Sequence, residues 1–309
     1  MKILLLGGKG YIGSRLHPYL VWRDYDVTCY DLCWFGNSTM MPFVRKDFNN
    51  LSIEELTKYD AVILLAAHSS VKMCVDDYMS SFNNNIRNFV NLVHKIELIP
   101  KPIKLIYASS SSIYGNTGDR IATEEQKEFI CVNNYDLTKY AIDQYMLNNN
   151  PIEPWYGLRF GTVNGFSRNF RSELMLNSMS MSAIENDVIR MSNSHIHRAI
   201  LGLSDLLESI DAILQKGNSK NSGVYNINSF NSTVSNLAEE VAAITDVKII
   251  DEGKVGNPYD FMISNKKFSD TFDFKFKSTV QSIVQEIERK YSNVTFTNIT
   301  NRDKSVRYE

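Results

Sequence analysis

The chain has 309 residues, 43% of them hydrophobic and 11% aromatic, with 33 basic against 35 acidic side chains and a net charge of -2. At roughly 150 residues per domain this is apolar material for about two packed units, and the near-even charge balance excludes a broad electrostatic footprint for nucleic acid or an anionic membrane surface. Cys29, Cys33, Cys74 and Cys131 form neither a Cys-x-x-Cys pair nor a Cys/His ligand spacing, so no metal site and no disulfide framework is expected, and a reducing, cytoplasmic setting fits.

Lys2–Leu6 reads as a buried first strand, because its apolar run stops at Gly7-Gly8, short of the roughly 7–15 residues of a secretion signal. No stretch approaches the roughly 20 apolar residues of a membrane span, and the Asn-x-Ser/Thr triplets at Asn37, Asn293 and Asn298 read as chance. Further strands are expected at Val27–Tyr30, Ala61–Ala67, Lys104–Ala108 and Tyr156–Phe160, separated by helix-like segments. This alternation over about 165 residues implies a parallel sheet covered on both faces. After Gly165 the spacing predicts helices over 171–185, 204–215 and 234–244 and a strand over 223–227. Residues 1–166 thus form one unit, with 204–228 returning to complete its sheet, and 167–309 form mainly a smaller lobe with a polar tail at 291–309.

Directly after the first strand, Gly7, Gly10 and Gly13 precede an apolar helix. Glycine permits the tight turn and lets backbone N–H groups approach a pyrophosphate, whose charge is favoured at the helix N-terminus. The second strand ends at Asp31, eighteen residues after Gly13; a carboxylate there accepts hydrogen bonds from both ribose hydroxyls and repels a 2′-phosphate, which favours NAD over NADP. Lys9 inside the loop would meet a 2′-phosphate and points the other way, and Pro18 removes one backbone bond from the following helix. Tyr11, Ile12, Leu32, Asp47, Phe48, Leu65, Ala66 and Ala67 complete the expected dinucleotide contacts, the small residues letting backbone lie against a flat ligand.

Lys104–Ala108 delivers Ser109-Ser110-Ser111-Ser112-Ile113-Tyr114-Gly115 to the carboxyl edge of the sheet, where ligands bind in open α/β folds. Twenty residues on, Tyr135 and Lys139 lie four apart at the start of a helix, so one ammonium can approach both a phenol and a cofactor ribose. An adjacent cation is expected to lower the phenol from its usual value of about 10.

These pieces together, with Asn84-Asn85-Ile86 and Leu158-Arg159-Phe160-Gly161-Thr162-Val163-Asn164-Gly165, resemble the extended short-chain dehydrogenase/reductase family and, within it, the NAD-dependent nucleotide-sugar epimerase/dehydratase group, over Met1 to about Phe276. The resemblance implies a Rossmann-type doubly wound α/β sheet with a smaller α/β substrate-binding lobe. It implies Tyr135 as general acid/base, Lys139 as the residue holding the ribose and tuning Tyr135, and Ser110 as the hydroxyl bonding the reacting group. Asp31 matches the ribose acid and Asp47 the position beside the adenine; Ser111, Ser112, Asn177 and Arg198 match substrate positions, the last two at the diphosphate. Helices 76–96 and 133–147 match a homodimer interface, with Phe82, Phe89, Tyr140 and Tyr145 supplying bulk.

Sugar 4,6-dehydration in this family needs a further acid/base pair after the catalytic serine, where this chain has Ser111 and Ser112; their hydroxyls are far too weakly acidic for that work. What remains is epimerisation at C4 through a 4-keto sugar, with an NAD(P)H-dependent keto-reductase and a noncatalytic dinucleotide sensor as alternatives. Two departures from the family stand out: its Arg-Asp-Tyr/Phe-Ile-His-Val stretch reads Arg198-Ala199-Ile200-Leu201-Gly202-Leu203, and Tyr259 stands where a late arginine is expected.

Overall fold

The computed structural model describes residues 1–37, 39–291 and 295–296, so most of the 291–309 tail, with Asn293 and Asn298, lies outside the described residues. Seven parallel strands form the main sheet in the order Gly223–Ile227, Trp155–Phe160, Lys104–Ser110, Ala61–Leu64, Lys2–Leu6, Asp26–Asp31 and Val44–Arg45. Sequence runs outward both ways from the junction between Lys2–Leu6 and Ala61–Leu64, which creates the switch point where open α/β sheets hold ligands. Buried strands read as continuous apolar runs because both faces are covered: Ile3 and Leu5 pack under the helices Gly13–Trp22 and Leu203–Lys216, and Leu4 and Leu6 under Asn88–Glu97 and Asn134–Asn149. Pro18 lies inside the Gly13–Trp22 helix.

A smaller lobe is built on a three-stranded sheet of Phe230–Thr233, His197–Gly202 and Thr162–Asn164 and on the helices Met175–Asn186, Val234–Thr245 and Val280–Lys290, around a core that includes Ile189, Ile200, Leu237 and Val284. The helix expected from residue 171 begins at Met175, and the strand expected to Ala67 ends at Leu64, leaving 65–67 as loop. Among the described residues no helix is long and apolar enough to cross a membrane.

The single helix expected over 76–96 is instead Val71–Asp76, Tyr78–Phe82, a π-helical turn at Asn83–Arg87, and Asn88–Glu97. A widened turn lets adjacent residues face inward, and both Asn84 and Asn85 are buried there. The Asn85 amide donates to the His68 carbonyl at 3.1 Å and Thr138 Oγ1 at 3.2 Å and accepts from the His68 N–H at 2.8 Å, stitching this segment to the Asn134–Asn149 helix. Phe89, expected at a subunit interface, packs into the sheet core instead.

That helix is also fixed from below. Arg159, fully buried on the strand Trp155–Phe160, pairs with Asp143 at 2.8 Å and donates to the Tyr114 hydroxyl at 2.7 Å, while Tyr107 donates to Asp143 at 3.0 Å and Tyr114 to Asn226 at 2.8 Å. Charge buried in this way is tolerated only when paired and hydrogen-bonded. The network joins three strands to the helix that carries Tyr135 and Lys139.

Candidate active site

A cavity of about 390 Å³ runs along the carboxyl ends of the strands at the switch point and extends toward the smaller lobe. Gly7, Gly10, Tyr11, Ile12, Gly13, Asp31, Leu32, Asp47, Phe48, Leu65, Ala66 and Ala67 line its dinucleotide end, and Ser110, Ser111, Ser112, Tyr135, Lys139 and Arg198 line the other.

The glycine loop divides its labour. A Cβ on Gly7, at φ +91°, would stand 2.5 Å from the Ala66 N atom, and one on Gly13 would stand 2.2 Å from the Gly7 carbonyl oxygen, so both glycines are demanded by backbone packing. A Cβ on Gly10 would meet only the Gly7 oxygen, at 3.5 Å, and otherwise faces open space. No side chain caps the Gly13–Trp22 helix at its N-cap Ile12, and although the Ser14 N–H donates to the Gly10 carbonyl and the Arg15 N–H to that of Ile12, the positive end of the helix dipole faces the cavity without a side-chain anion and suits a bound one. Asp31 accepts the Cys33 N–H at 2.6 Å and the Lys9 N–H at 2.8 Å, one on each oxygen; a carboxylate has about four acceptor positions, so two remain for ribose hydroxyls. Burial pushes the Asp31 carboxyl up, against the pull of those N–H groups. The residues present fit an NAD-type dinucleotide.

Lys9 does not extend toward that ribose acid. Its three ammonium donors go to the Thr39 carbonyl at 3.2 Å, Thr39 Oγ1 at 3.0 Å and the Met41 carbonyl at 2.6 Å, and the charge sits 4.5 Å from the Phe43 ring centroid. Lys9, which the sequence set against NAD, thus spends its ammonium on the 39–43 segment. Asp47 turns back to cap its own short turn, accepting from the Asn49 N–H at 2.8 Å.

At the far end, Ser110 comes from a strand terminus and Tyr135 and Lys139 from one turn of the Asn134–Asn149 helix, whose N-cap Asn133 accepts from the Asp136 N–H. Lys139 Nζ donates to the Ala108 carbonyl at 2.7 Å and lies 5.9 Å from the Tyr135 ring centroid. Burial pulls the Lys139 ammonium down to about 8. It also pushes the Tyr135 phenol up to about 12, outweighing the hydrogen bond from Ser110 and the nearby Arg171 cation. The lowered phenol expected from sequence is therefore not found: removal from water outweighs the neighbouring charge.

Ser111 donates to the Phe160 carbonyl at 2.7 Å, whereas Ser112 shares a 2.8 Å hydrogen bond with Ser110 and donates to Asp136 at 2.6 Å. Asn177 lies behind the cavity wall, fully buried: its oxygen accepts from the Gly165 N–H, and its amide donates to the Tyr11 hydroxyl and the Arg171 carbonyl. Tyr11 in turn donates to the Gly165 carbonyl at 2.7 Å, so this cluster ties the glycine loop to the smaller lobe. Arg198 lines the cavity, its guanidinium pulled down to about 10 by burial.

Sequence reasoning missed Arg171, which lines the cavity from the loop before Met175–Asn186 and is oriented by Glu173 at 2.6 Å and the Ser69 carbonyl at 3.3 Å. Trp34, Phe35 and Phe261 also line it. Only the positive charge of Arg171, next to a helix start, could have marked it.

A doubly wound sheet, a glycine loop at its switch point and a Ser/Tyr/Lys group in the same cavity define an α/β protein of the extended short-chain dehydrogenase type. The chain belongs to the NAD dependent epimerase/dehydratase family, whose model matches residues 3–228. It is 26% identical over 177 residues to a CDP-paratose 2-epimerase of Salmonella typhi (48% of this chain, 52% of that one) and 26% identical over 184 residues to a UDP-glucose 4-epimerase of Mycoplasma pneumoniae (55% and 54%). The chain thus spans about half the length of these curated relatives. In fold it is similar to a UDP-glucose 4-epimerase of Thermotoga maritima solved with UDP-glucose (TM-score 0.82, 18% identity, 94% of this chain and 100% of that one). It is likewise similar to a UDP-glucuronic acid 4-epimerase of Bacillus cereus solved with UDP-glucuronic acid and NAD (TM-score 0.80, 20% identity, 93% and 97%).

Proposed function

We propose that the chain is an NAD-dependent nucleotide-sugar epimerase acting at C4, with Tyr135 as acid/base. The observation that carries this reading is the convergence of Ser110, Tyr135 and Lys139 at one end of a cavity whose other end is the open face of Gly10 and a helix N-terminus without a side-chain cap. Ser111 and Ser112, both hydroxyls, stand where dehydration would need an acid and a base. When bound, the nicotinamide supplies a hydride acceptor and donor. Ser110 orients the sugar hydroxyl, Tyr135 removes its proton and later returns one, and Lys139 bonds the ribose through the donors not spent on Ala108. A 4-keto sugar formed in this way turns over between the cavity walls before its C4 centre is rebuilt on the other face. Arg171 and Arg198 hold the diphosphate, for which a planar guanidinium fork is suited. The carboxylate of Asp31 and the fully engaged Lys9 ammonium support NAD rather than NADP. A homodimer through the helices at 71–82 and 134–149 is supported by exposed Val75, Tyr78, Met79 and Leu137.

The test is turnover of UDP-glucose, UDP-galactose and UDP-glucuronic acid by the purified protein, after assay of its bound nucleotide. Tyr135→Phe is expected to lower kcat by about 10²–10⁴, the range a positioned proton-transfer group supplies. Release of dissociable NADPH with reduction of a keto sugar would establish the reductase instead, and bound NAD with no turnover of any sugar nucleotide would establish a sensor.

A further inference from the structure

We propose that Asn169 and Asn177 are positioning residues that hang Arg171 from the glycine loop, so that binding of the substrate diphosphate depends on the loop that holds the cofactor. The inference rests on the reading of Arg171 as a diphosphate cation. It adds how that cation is held in place, and it assigns Asn177 a role through Arg171 instead of on the ligand.

Arg171 stands between the strand Thr162–Asn164 and the helix Met175–Asn186, in a stretch whose regular pairing among the described residues is limited to Asn169–Phe170 with Thr295–Phe296. Glu173 and the Ser69 carbonyl aim its guanidinium, but its backbone is fixed from both sides by two fully buried asparagines. Two residues before Arg171, the Asn169 amide donates to the Lys9 carbonyl at 2.7 Å. Six residues after it, the Asn177 amide donates to the Arg171 carbonyl at 2.9 Å and to the Tyr11 hydroxyl at 3.0 Å. Tyr11 closes a ring by donating to the Gly165 carbonyl at 2.7 Å, while the Gly165 N–H donates to the Asn177 oxygen at 2.9 Å. Ser167 adds a third tie, donating to the Tyr11 carbonyl at 2.8 Å. Both anchors of Arg171 therefore end on Lys9 and Tyr11, the residues on either side of Gly10.

Donor counting decides which of these side chains meets the ligand. A primary amide carries two N–H hydrogens. Those of Asn177 are both engaged, on Tyr11 and Arg171, which leaves none for a phosphate oxygen, and the side chain lies outside the cavity lining. A guanidinium has five N–H donors, so Arg171, which does line the cavity, keeps donors beyond those given to Glu173 and Ser69. A sugar that turns over between two half-reactions needs its diphosphate held at one distance from the cofactor loop throughout. One hydrogen-bonded cluster joining the two binding elements supplies that fixed distance.

Calorimetric binding of UDP, CDP, GDP and dTDP to the NAD-loaded protein tests this without turnover, and the diphosphate bound tightest is carried into the variants. Tyr11→Phe deletes one hydroxyl and keeps the ring. It is expected to raise Kd for that diphosphate at least about fivefold, the scale of one or two lost hydrogen bonds, and by a larger factor than it raises Kd for NAD. Asn177→Ala and Arg171→Gln should each raise it at least about tenfold. In the Arg171→Gln background, neither Tyr11→Phe nor Asn177→Ala should change it by more than about twofold, because the cation through which they act is gone. Effects of Asn177→Ala and Arg171→Gln that multiply would show the asparagine touching the ligand and overturn the proposal. A Tyr11→Phe protein whose Kd for the diphosphate stays within about twofold of wild type would overturn it as well, and that variant carries the test if Asn177→Ala does not fold. A wild-type protein that binds none of the four refutes the reading of Arg171 as a diphosphate cation and this proposal with it. One that binds a diphosphate in the expected pattern yet turns over no sugar nucleotide supports the proposal and refutes the epimerase.

Discussion

Lys139→Met separates what the site needs from what the fold prefers. Lys139 is only 4% exposed, and burial lowers its ammonium from the ordinary 10.5 to about 8. At about 1.4 kcal/mol for each tenfold change in proton affinity, keeping that charge inside costs about 3 kcal/mol at neutral pH. Methionine of similar length removes the cost but leaves the Ala108 carbonyl without the donor it has at 2.7 Å, a loss of about 1–3 kcal/mol. The ligand-free variant is therefore expected to be about 1 kcal/mol more stable than the wild-type protein at pH 7. The pH dependence has a definite sign. A lysine whose folded value is lowered binds fewer protons folded than unfolded between about 8 and 10.5, so wild-type stability rises with pH across that window. The advantage of Lys139→Met should shrink and then reverse by about pH 10.5, while the proposed turnover of sugar nucleotides is expected to be lost throughout. Thermal or urea unfolding of nucleotide-free protein at pH 7 and pH 10 measures this. A variant less stable than wild type at pH 7 by more than about 1 kcal/mol, or a difference that does not change with pH, would show that the ammonium is not held at such a cost.

Gly10→Ala and Gly13→Ala should part company. The first places a methyl 3.5 Å from its nearest neighbour and should leave ligand-free melting unchanged while weakening NAD binding, measured by calorimetry; the second meets backbone at 2.2 and 2.5 Å and should fail to fold stably. Asp143→Ala strands a fully buried Arg159 and should cost about 3–5 kcal/mol in urea unfolding, the range for breaking a buried pair; a loss under about 1 kcal/mol would mean that water reaches the guanidinium.

Much of the site was legible because its pieces are local in sequence. Glycines three apart after an apolar strand, an acid at the end of the next strand, and Tyr135 and Lys139 one helical turn apart each follow from the repeat of a single element, and the carboxyl edge of a parallel sheet gathers them without further instruction. The broken 71–97 segment was not legible, since its π-turn turns two adjacent asparagines inward, Asn85 against His68 and Thr138 and Asn84 against Asn85. Asn177 illustrates the same limit: its type suits a diphosphate, yet its amide is spent on Gly165, Tyr11 and Arg171.

The order of apolar strands, glycine turns and helical repeats was enough by itself to determine a doubly wound sheet and which edge of it carries chemistry, because periodicity and backbone freedom are properties of short stretches. Only the tertiary structure decided where charges end up. Lys9 turns to Thr39 and Met41, Arg171 reaches the cavity, and Asp136 meets Ser112 and Tyr259 across 24 and 123 residues of chain. The proton affinities of Tyr135 and Lys139 followed from the same source. Desolvation depends on everything packed around a group, and no spacing along the chain encodes it.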